Sequence, residues 1–278
     1  MIEVVSPGVL TTIQDQGRHG YQHLGVPYSG CMDQQSADLA NRIVGNDLDC
    51  ALFEITLSGP TLFFNTSACI CVTGGKVELP SFMDMNKVTD VNPGSEIKFG
   101  RIKKGARAYL AVRGGIDSAL VLNSRSQYHG VTEAVRLVKH ERLRVGSINS
   151  HRRSGQEQVY DINFDEGAIE VYKGPEYHLL SARQQFPLLH AEFTVSVDAN
   201  RMGYRVKERV DRHQISILTS PVLPGTVQLP PSGSPLILMR DCQTTGGYPR
   251  VLQLTDQAIN QLAQKRPGDK LKFKMVSY

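Results

Sequence analysis

Short runs of β-branched and aromatic residues, broken by glycine and proline, dominate the chain. They cover Thr61–Asn65, Ala68–Thr73, Glu96–Gly100, Arg107–Arg113, Gly167–Tyr172, Phe193–Val197, Gln214–Leu218, Gly225–Leu229, Pro235–Arg240 and Leu271–Val276. Many short strands separated by turn residues predict a β-rich barrel or sandwich. Three segments carry a helical pattern instead. Asp33–Val44 puts Ala37, Ala40, Ile43 and Val44 on one face and stops at Gly45-Asn46. Tyr177–Gln185 is a shorter helix expected to end before Phe186-Pro187. Thr255–Gln264 opens on a Thr/Asp cap, buries Ala258, Ile259 and Leu262, and ends before Pro267-Gly268.

The chain echoes itself. Ile55-Thr-Leu-Ser-Gly-Pro60 resembles Ile169-Glu-Val-Tyr-Lys-Gly-Pro175. Pro93-Gly94, the strand after it and the strand Ala108–Val112 resemble Pro224-Gly225, its following strand and Leu236–Met239. These echoes lie about 115–130 residues apart, which predicts two similar β-rich domains, 1–150 and 151–278. Gly17-Arg-His-Gly-Tyr21 faintly matches Asn200-Arg-Met-Gly-Tyr204, but out of order, so segments exchanged between the two domains are compatible with the pattern. The competing explanation is that Pro-Gly hairpins recur in any β protein.

Composition narrows the class. The 278 residues, 40 % apolar and 21 % charged, suffice for a sizeable core and describe an ordinary soluble chain. A net charge of +4, with small basic clusters only at Arg101–Lys104 and His151–Arg153, gives no stripe for nucleic acid. No apolar run approaches the roughly 20 residues that span a bilayer, and Met1-Ile-Glu-Val-Val carries no signal-peptide pattern. The five cysteines show neither disulfide nor zinc spacing. Cys69 and Cys71 share one strand face, as small buried hydrophobes or as a redox or metal pair. A reducing cytoplasm fits these features.

No P-loop, H-E-x-x-H, G-x-S-x-G or G-x-G-x-x-G occurs, and no Met-Lys-Met flank marks a biotin-bearing lysine. Two polar, glycine-dense segments remain. Gln14–Asp33 contains Asp15, Arg18, His19, Tyr21, His23, Ser29 and Asp33 among four glycines. A long loop of this kind is functional or disordered, and its glycines and aromatics argue for function. Arg18 has the planar fork that suits a carboxylate or phosphate. Asp33 reads as a helix N-cap, which is compatible with a site role. His19 and His23 read as loop histidines. The second segment, Met239–Pro249, runs from a strand into Asp241 and the turn Thr244-Thr245-Gly246-Gly247, a place for an oxyanion or phosphate, or simply a capped turn. Arg125 in Leu122–Ser126 and Arg201 in Asn200–Tyr204 are weaker candidates, each more readily one half of a surface ion pair.

Together these segments resemble the biotin-dependent carboxyltransferase family. Pro7-Gly8, Thr11-Thr-Ile-Gln-Asp15, Gly17-Arg18, Gly20-Tyr21, Gly25-Val-Pro27, Ser29-Gly30, Met32-Asp33 and Leu39-Ala-Asn41 look like its opening. Tyr109–Asp117 resembles its middle motif, and Asp241–Pro249 with Pro267-Gly-Asp269 its end. That family includes the C-type component of 5-oxoprolinase, the second component of allophanate-hydrolase-type proteins and a Kip-type regulator of a sporulation kinase. The resemblance implies a mainly β fold with a few helices, built as two cyclophilin-like β-barrel domains. It also implies a B-type partner subunit and, for 5-oxoprolinase, an A-type subunit that completes ATP-dependent, Mg-assisted opening of 5-oxoproline to glutamate, with no biotin on this chain. Asp15, Arg18 and Asp33 are the catalytic candidates. Gln14, Tyr21, Ser29, Arg125, Arg201, Gln243, Thr244, Thr245, Gly246, Gly247 and Tyr248 are the substrate- or phosphate-binding candidates, and no metal ligand is expected.

The chain departs from the family pattern mainly in the middle. Asn123 and Gln127 stand where glycine and threonine are usual, Ser147 and Asn200 where aspartate is usual, and the usual tryptophan near Phe193 is missing. Two other functions compete with a 5-oxoprolinase subunit. One is the urea or allophanate carboxyltransferase branch, which normally fuses this module to biotin carboxylase and carrier segments. The other is a non-enzymatic Kip-type binding subunit, which would need a partner surface but not the polar loops.

Overall fold

The computed structural model describes residues 1–147 and 168–277. Within these the chain is mainly β and forms two compact units, residues 1–18 with 29–147, and residues 19–28 with 168–277. The expected boundary at 150/151 and the basic cluster His151–Arg153 lie outside the described residues, as does Gly167 at the start of one expected strand.

The first unit contains β1 (Ile2–Ser6), β2 (Leu10–Gln14), β3 (Leu52–Thr56), β4 (Thr61–Phe64), β5 (Ala68–Val77), β6 (Thr89–Val91), β7 (Ser95–Lys98), β8 (Ile102–Val112), β9 (Ile116–Asp117), β10 (Arg142–Val145) and helix α1 (Gln34–Val44). One sheet runs β7-β4-β1-β10-β9 and the other β2-β3-β8-β5-β6. Both are open five-stranded sheets among the described residues, so the unit is a sandwich, not a closed hydrogen-bonded barrel. Strand alternation explains the layers. Ile13, Phe53, Leu110 and Val72 form a row across the second sheet and meet Ile2, Val4, Leu62 and Phe64 of the first sheet in one apolar core. Cys71, Ala111 and Leu52, on the opposite face, pack under Ala37, Ala40, Ile43 and Val44 of α1. The second sheet is therefore buried on both faces, which accounts for the uninterrupted apolar run at Ala108–Val112.

The second unit contains β11 (Ile169–Lys173), β12 (Phe193–Thr194), β13 (Gly203–Arg205), β14 (Ser220–Pro221), β15 (Thr226–Gln228), β16 (Leu236–Leu238), β17 (Thr245–Gly246), β18 (Arg250–Leu254), β19 (Lys270–Leu271) and β20 (Phe273–Met275). Its main sheet runs β13-β16-β15-β18-β11-β20, antiparallel except for β11 with β20. Helices α2 (Ala182–His190) and α3 (Asp256–Ala263) flank it. The Thr255 hydroxyl caps α3 by accepting from Ala258 N at 3.1 Å, as the sequence predicts.

Three expectations are corrected. Gln214–Leu218 forms no strand: its residues find no ladder partner among the described residues, so β-propensity alone does not order it. The helix expected at Tyr177–Gln185 is a single 3-10 turn, Tyr177–Leu179, followed by α2, which begins after Ser181 and runs through Pro187 to His190. Ser181 N and Oγ both donate to Gln184 Oε1 at 2.9 Å, which sets the later start. The repeated Pro-Gly strands also occupy different positions: β7 and β8 lie in separate sheets, whereas β15 and β16 are hydrogen-bonded neighbours.

Candidate functional site

In the first unit β2 delivers Gln14 and Asp15 into a buried polar knot with residues 121–127. The turn Val121–Ser124 closes on reciprocal backbone bonds of 2.9 and 3.2 Å, with Leu122 at φ +51° and Asn123 at +59°. Two central residues of positive φ define a type I′ turn, a geometry that asparagine tolerates and leucine resists. Asn123 thus occupies a left-handed position of the kind that favours glycine or asparagine.

The Asp15 carboxylate clamps this turn. Oδ1 accepts from Gly17 N at 2.8 Å, and from the hydroxyls of Ser124 and Ser126 at 2.6 Å each. Oδ2 accepts from Arg125 N at 2.5 Å. Arg18, only 1 % exposed, braces the same segment: Nε donates to the Val121 carbonyl at 3.1 Å and Nη2 to the Ser126 carbonyl at 2.5 Å. The guanidinium expected to fork onto a ligand is thus engaged inside the unit. Gln14 Nε2 donates to Thr12 Oγ1 at 3.1 Å and to the Gln127 carbonyl at 3.2 Å. Gln127 in turn holds both backbone polar groups of Ile13 on the edge strand β2, donating N to its carbonyl at 2.9 Å and accepting its N–H on Oε1 at 3.0 Å.

A second network lies under α1. One residue out of step with the apolar row, Thr12, Glu54, Tyr109 and Thr73 face each other across β2, β3, β8 and β5. Glu54 is 1 % exposed. Its Oε2 accepts from Met32 N at 2.7 Å and from the Tyr109 hydroxyl at 3.0 Å, and the Arg107 guanidinium lies 3.7 Å from Oε1. The Tyr109 oxygen accepts from Asp33 N at 2.7 Å. Burial, reinforced by the Glu54 carboxylate, pushes the Tyr109 phenol well above its ordinary pKa. Asp33 caps α1, accepting from Ser36 N at 3.0 Å and Ser36 Oγ at 2.6 Å. Its capping role is therefore realised, on a network distinct from the Asp15 knot. Ser29 is buried at φ +56°, and its hydroxyl has no hydrogen bond among the described residues. Gly30 follows at φ +83°, where a Cβ would stand 2.9 Å from Gly17 N.

Two cavities flank Arg125. A polar one of about 390 Å³ is lined by Asp47, Asp49, Cys50, Asp117 and Arg125 among others, and a more apolar one of about 500 Å³ lies on the other side. The Arg125 guanidinium reaches Asp117 Oδ1 at 3.0 Å and also donates to the Ser118 carbonyl.

In the second unit Arg201 and Asp241 form a bidentate pair at 2.7 and 2.9 Å, largely buried. Asn200 Oδ1 accepts from Met202 N and Gly203 N at 2.8 and 3.3 Å, the work an aspartate would do there. After Asp241, Thr245-Gly246 pairs with Ser220-Pro221 as a short ladder, so this stretch is strand, not a free turn of converging amides. A Cβ on Gly246 would meet Gln228 Nε2 at 2.3 Å, so a larger residue there requires the end of the Gln228 side chain to move. Gln243, Thr245, Gly247 and Tyr248 are exposed, and Thr244 is half-buried. Tyr21 and His23 belong to the 19–28 segment, where the His19 and Tyr28 rings meet edge-on at 5.4 Å.

Of the expected residues, then, the first unit brings Gln14, Asp15, Arg18 and Arg125 together, and the second brings Arg201 to the head of the 241–249 segment. Glu54, Ser124, Ser126, Gln127, Tyr109 and Arg107 are not among the expected site residues, and the acid inside the run Leu52–Ile55 is the signal that could have found Glu54. Among the described residues no group of three or more His, Cys, Asp or Glu side chains could hold a metal ion. Nor, among them, is any helix long and apolar enough to cross a membrane.

A two-unit, mainly β chain of this kind has the fold of a carboxyltransferase-type domain. The family model "Carboxyltransferase domain, subdomain A and B" matches residues 24–275, and the chain belongs to that family. It is 34 % identical to the C-type component of 5-oxoprolinase from Escherichia coli and 32 % identical to that from Haemophilus influenzae, in each case over 100 % of this chain and 92 % of the relative. The crystal structure of the K. lactis urea amidolyase superposes with a TM-score of 0.88 at 28 % identity, covering 99 % of this chain and 19 % of that much longer one.

Proposed function

We propose that this chain is the C-type component of a 5-oxoprolinase, acting in the cytoplasm with a B-type and an A-type subunit to open 5-oxoproline to glutamate at the expense of ATP. The observation that carries this reading is likeness: the chain is 34 % and 32 % identical to the two bacterial 5-oxoprolinase components, over 92 % of each. The five cysteines, none of them in a disulfide, agree with a reducing compartment.

A lactam carbonyl is a poor electrophile, and ATP, when bound, supplies its activation by phosphoryl transfer to the carbonyl oxygen. The described residues make no cradle for that nucleotide. Arg18 and Arg201 are each held on partners within their own units. In this reading Mg-ATP is held elsewhere in the complex, and this chain shapes the pocket for the ring. Asp15 and Arg18 act as positioning residues: they hold the 121–127 segment, and with it Arg125 and Gln127, in one geometry.

The test is to purify the chain with its B and A partners and measure glutamate release from 5-oxoproline with ATP. ATP-dependent release is expected. A stable complex that releases none, or that instead transfers a carboxyl group to urea, sinks the reading.

A further inference from the structure

The cavity of about 500 Å³ beside Arg125 has the dimensions of a small-molecule site. Its walls are aliphatic, from Ala134, Val135 and Val138, the last two 39 % and 56 % exposed. Three polar groups on it stand out. Gln127 is only 5 % exposed and lines the cavity. Its Oε1 is spent on Ile13 N, which leaves Nε2 as a donor with no hydrogen bond among the described residues. Arg136 offers a guanidinium, and Glu133 a carboxylate, neither with an ion pair or hydrogen bond among the described residues. Gln127 cannot swing away, because its backbone and its Oε1 are both fixed to Ile13. A buried amide donor held in this way selects strongly for a ligand that presents an acceptor.

We propose that this groove binds a short carboxylic acid carrying a secondary amide. Its carboxylate faces Arg136, its amide carbonyl accepts from Gln127 Nε2, its N–H faces Glu133, and its methylenes lie against Val135 and Val138. 5-Oxoproline presents all of these groups on one five-membered ring, and its choice as the ligand rests on the function proposed above.

The experiment titrates 5-oxoproline into the full chain, alone and assembled with its partners, by calorimetry, and measures KM in the assembled complex. Gln127→Glu keeps the acceptor for Ile13 N and removes the donor. Arg136→Gln removes the cation, and Ala134→Trp fills the groove from an exposed position. Loss of one such polar contact is expected to weaken binding and raise KM about tenfold, and the tryptophan to abolish binding, with thermal unfolding of the Arg136 and Ala134 variants unchanged. Kd and KM within twofold of wild type in all three variants, or no titration of the wild-type chain in either form, would overturn the proposal. A complex that turns over 5-oxoproline with an insensitive KM removes the groove and leaves the function. A chain that binds through these residues in a complex without turnover removes the function and leaves the groove.

Discussion

Replacing Asp15 with alanine tests the clamp directly. The carboxylate, 7 % exposed, receives four hydrogen bonds from Gly17 N, Ser124 Oγ, Ser126 Oγ and Arg125 N. Hydrogen bonds to a charged acceptor contribute roughly 1.5–3 kcal/mol each, and an orphaned buried donor costs about 1–3 kcal/mol. The sum overstates the loss, because the two hydroxyls can turn to other acceptors and the contacts share one anion. The two backbone amides cannot turn. We therefore expect about 3–5 kcal/mol of destabilisation. The turn Val121–Ser124 should open locally before the unit unfolds, since Leu122 sits at φ +51° and that strain is held only by its surroundings. The assay is native-state amide exchange together with urea denaturation. At the low end, about 3 kcal/mol corresponds to about 150-fold faster exchange at Arg125 N. Asp15→Asn should fall in between, because one amide oxygen still accepts while the new NH₂ group faces another donor. An Asp15→Ala chain within about 1 kcal/mol of wild type, with Arg125 N still protected, would refute the clamp and return Asp15 to the role of a reacting group.

Tyr109→Phe should cost about 1–3 kcal/mol by urea denaturation, since it orphans Asp33 N and strips one donor from buried Glu54. Asn123→Gly should lie within about 0.5 kcal/mol of wild type and Asn123→Val should lose about 1–2 kcal/mol, because only the latter resists a positive φ. The bidentate bond from Arg250 holds Glu176 below the ordinary carboxylate pKa. A depressed folded pKa adds stability above the unfolded value and loses it as pH falls. Glu176→Gln should thus be less stable than wild type at pH 7 by about 1 kcal/mol, and the difference should fade below about pH 4. Burial pushes the thiols of Cys71 and Cys242 up to about 12, so iodoacetamide at pH 8 should spare both in the native chain while labelling half-exposed Cys50 and Cys69.

How far the fold is legible in the sequence follows from where each signal resides. Helices α1 and α3 carry both an apolar stripe and a cap, and both lie where the sequence puts them, to within a residue at either end. Helix α2 is displaced from its expected span, because proline is penalised locally while the Ser181–Gln184 contact that starts the helix is hard to see in the sequence. Strands β1, β2 and β3 escape the pattern: each is only five residues long and interleaves its core residues with polar ones such as Glu3, Thr12 and Glu54. In the fold Thr12 and Glu54 belong to a buried polar row and Glu3 pairs with Arg142 on a central strand, so none marks a loop. Arg18 and Asp15 are recognisable by type, but their partners lie more than 100 residues away in sequence, at Ser124 to Ser126. No local pattern encodes such a contact.

The placement of Arg18 changes what the polar loop is for. A guanidinium 1 % exposed must be held by acceptors inside the protein, and carbonyl oxygens of a strained turn suit it well. An apolar filler could pack the same space, yet it would leave the carbonyls of Val121 and Ser126 without these donors. The Asp15–Arg18 pair of clamps therefore selects one register of the 121–127 segment, at a desolvation cost that packing alone would not incur. That register sets Arg125 between the two cavities and fixes the Gln127 amide in the wall of one of them. Asp15 and Arg18, the residues that look most catalytic in the sequence, thus brace the 121–127 segment, and with it the Gln127 wall of the groove proposed above as a ligand site.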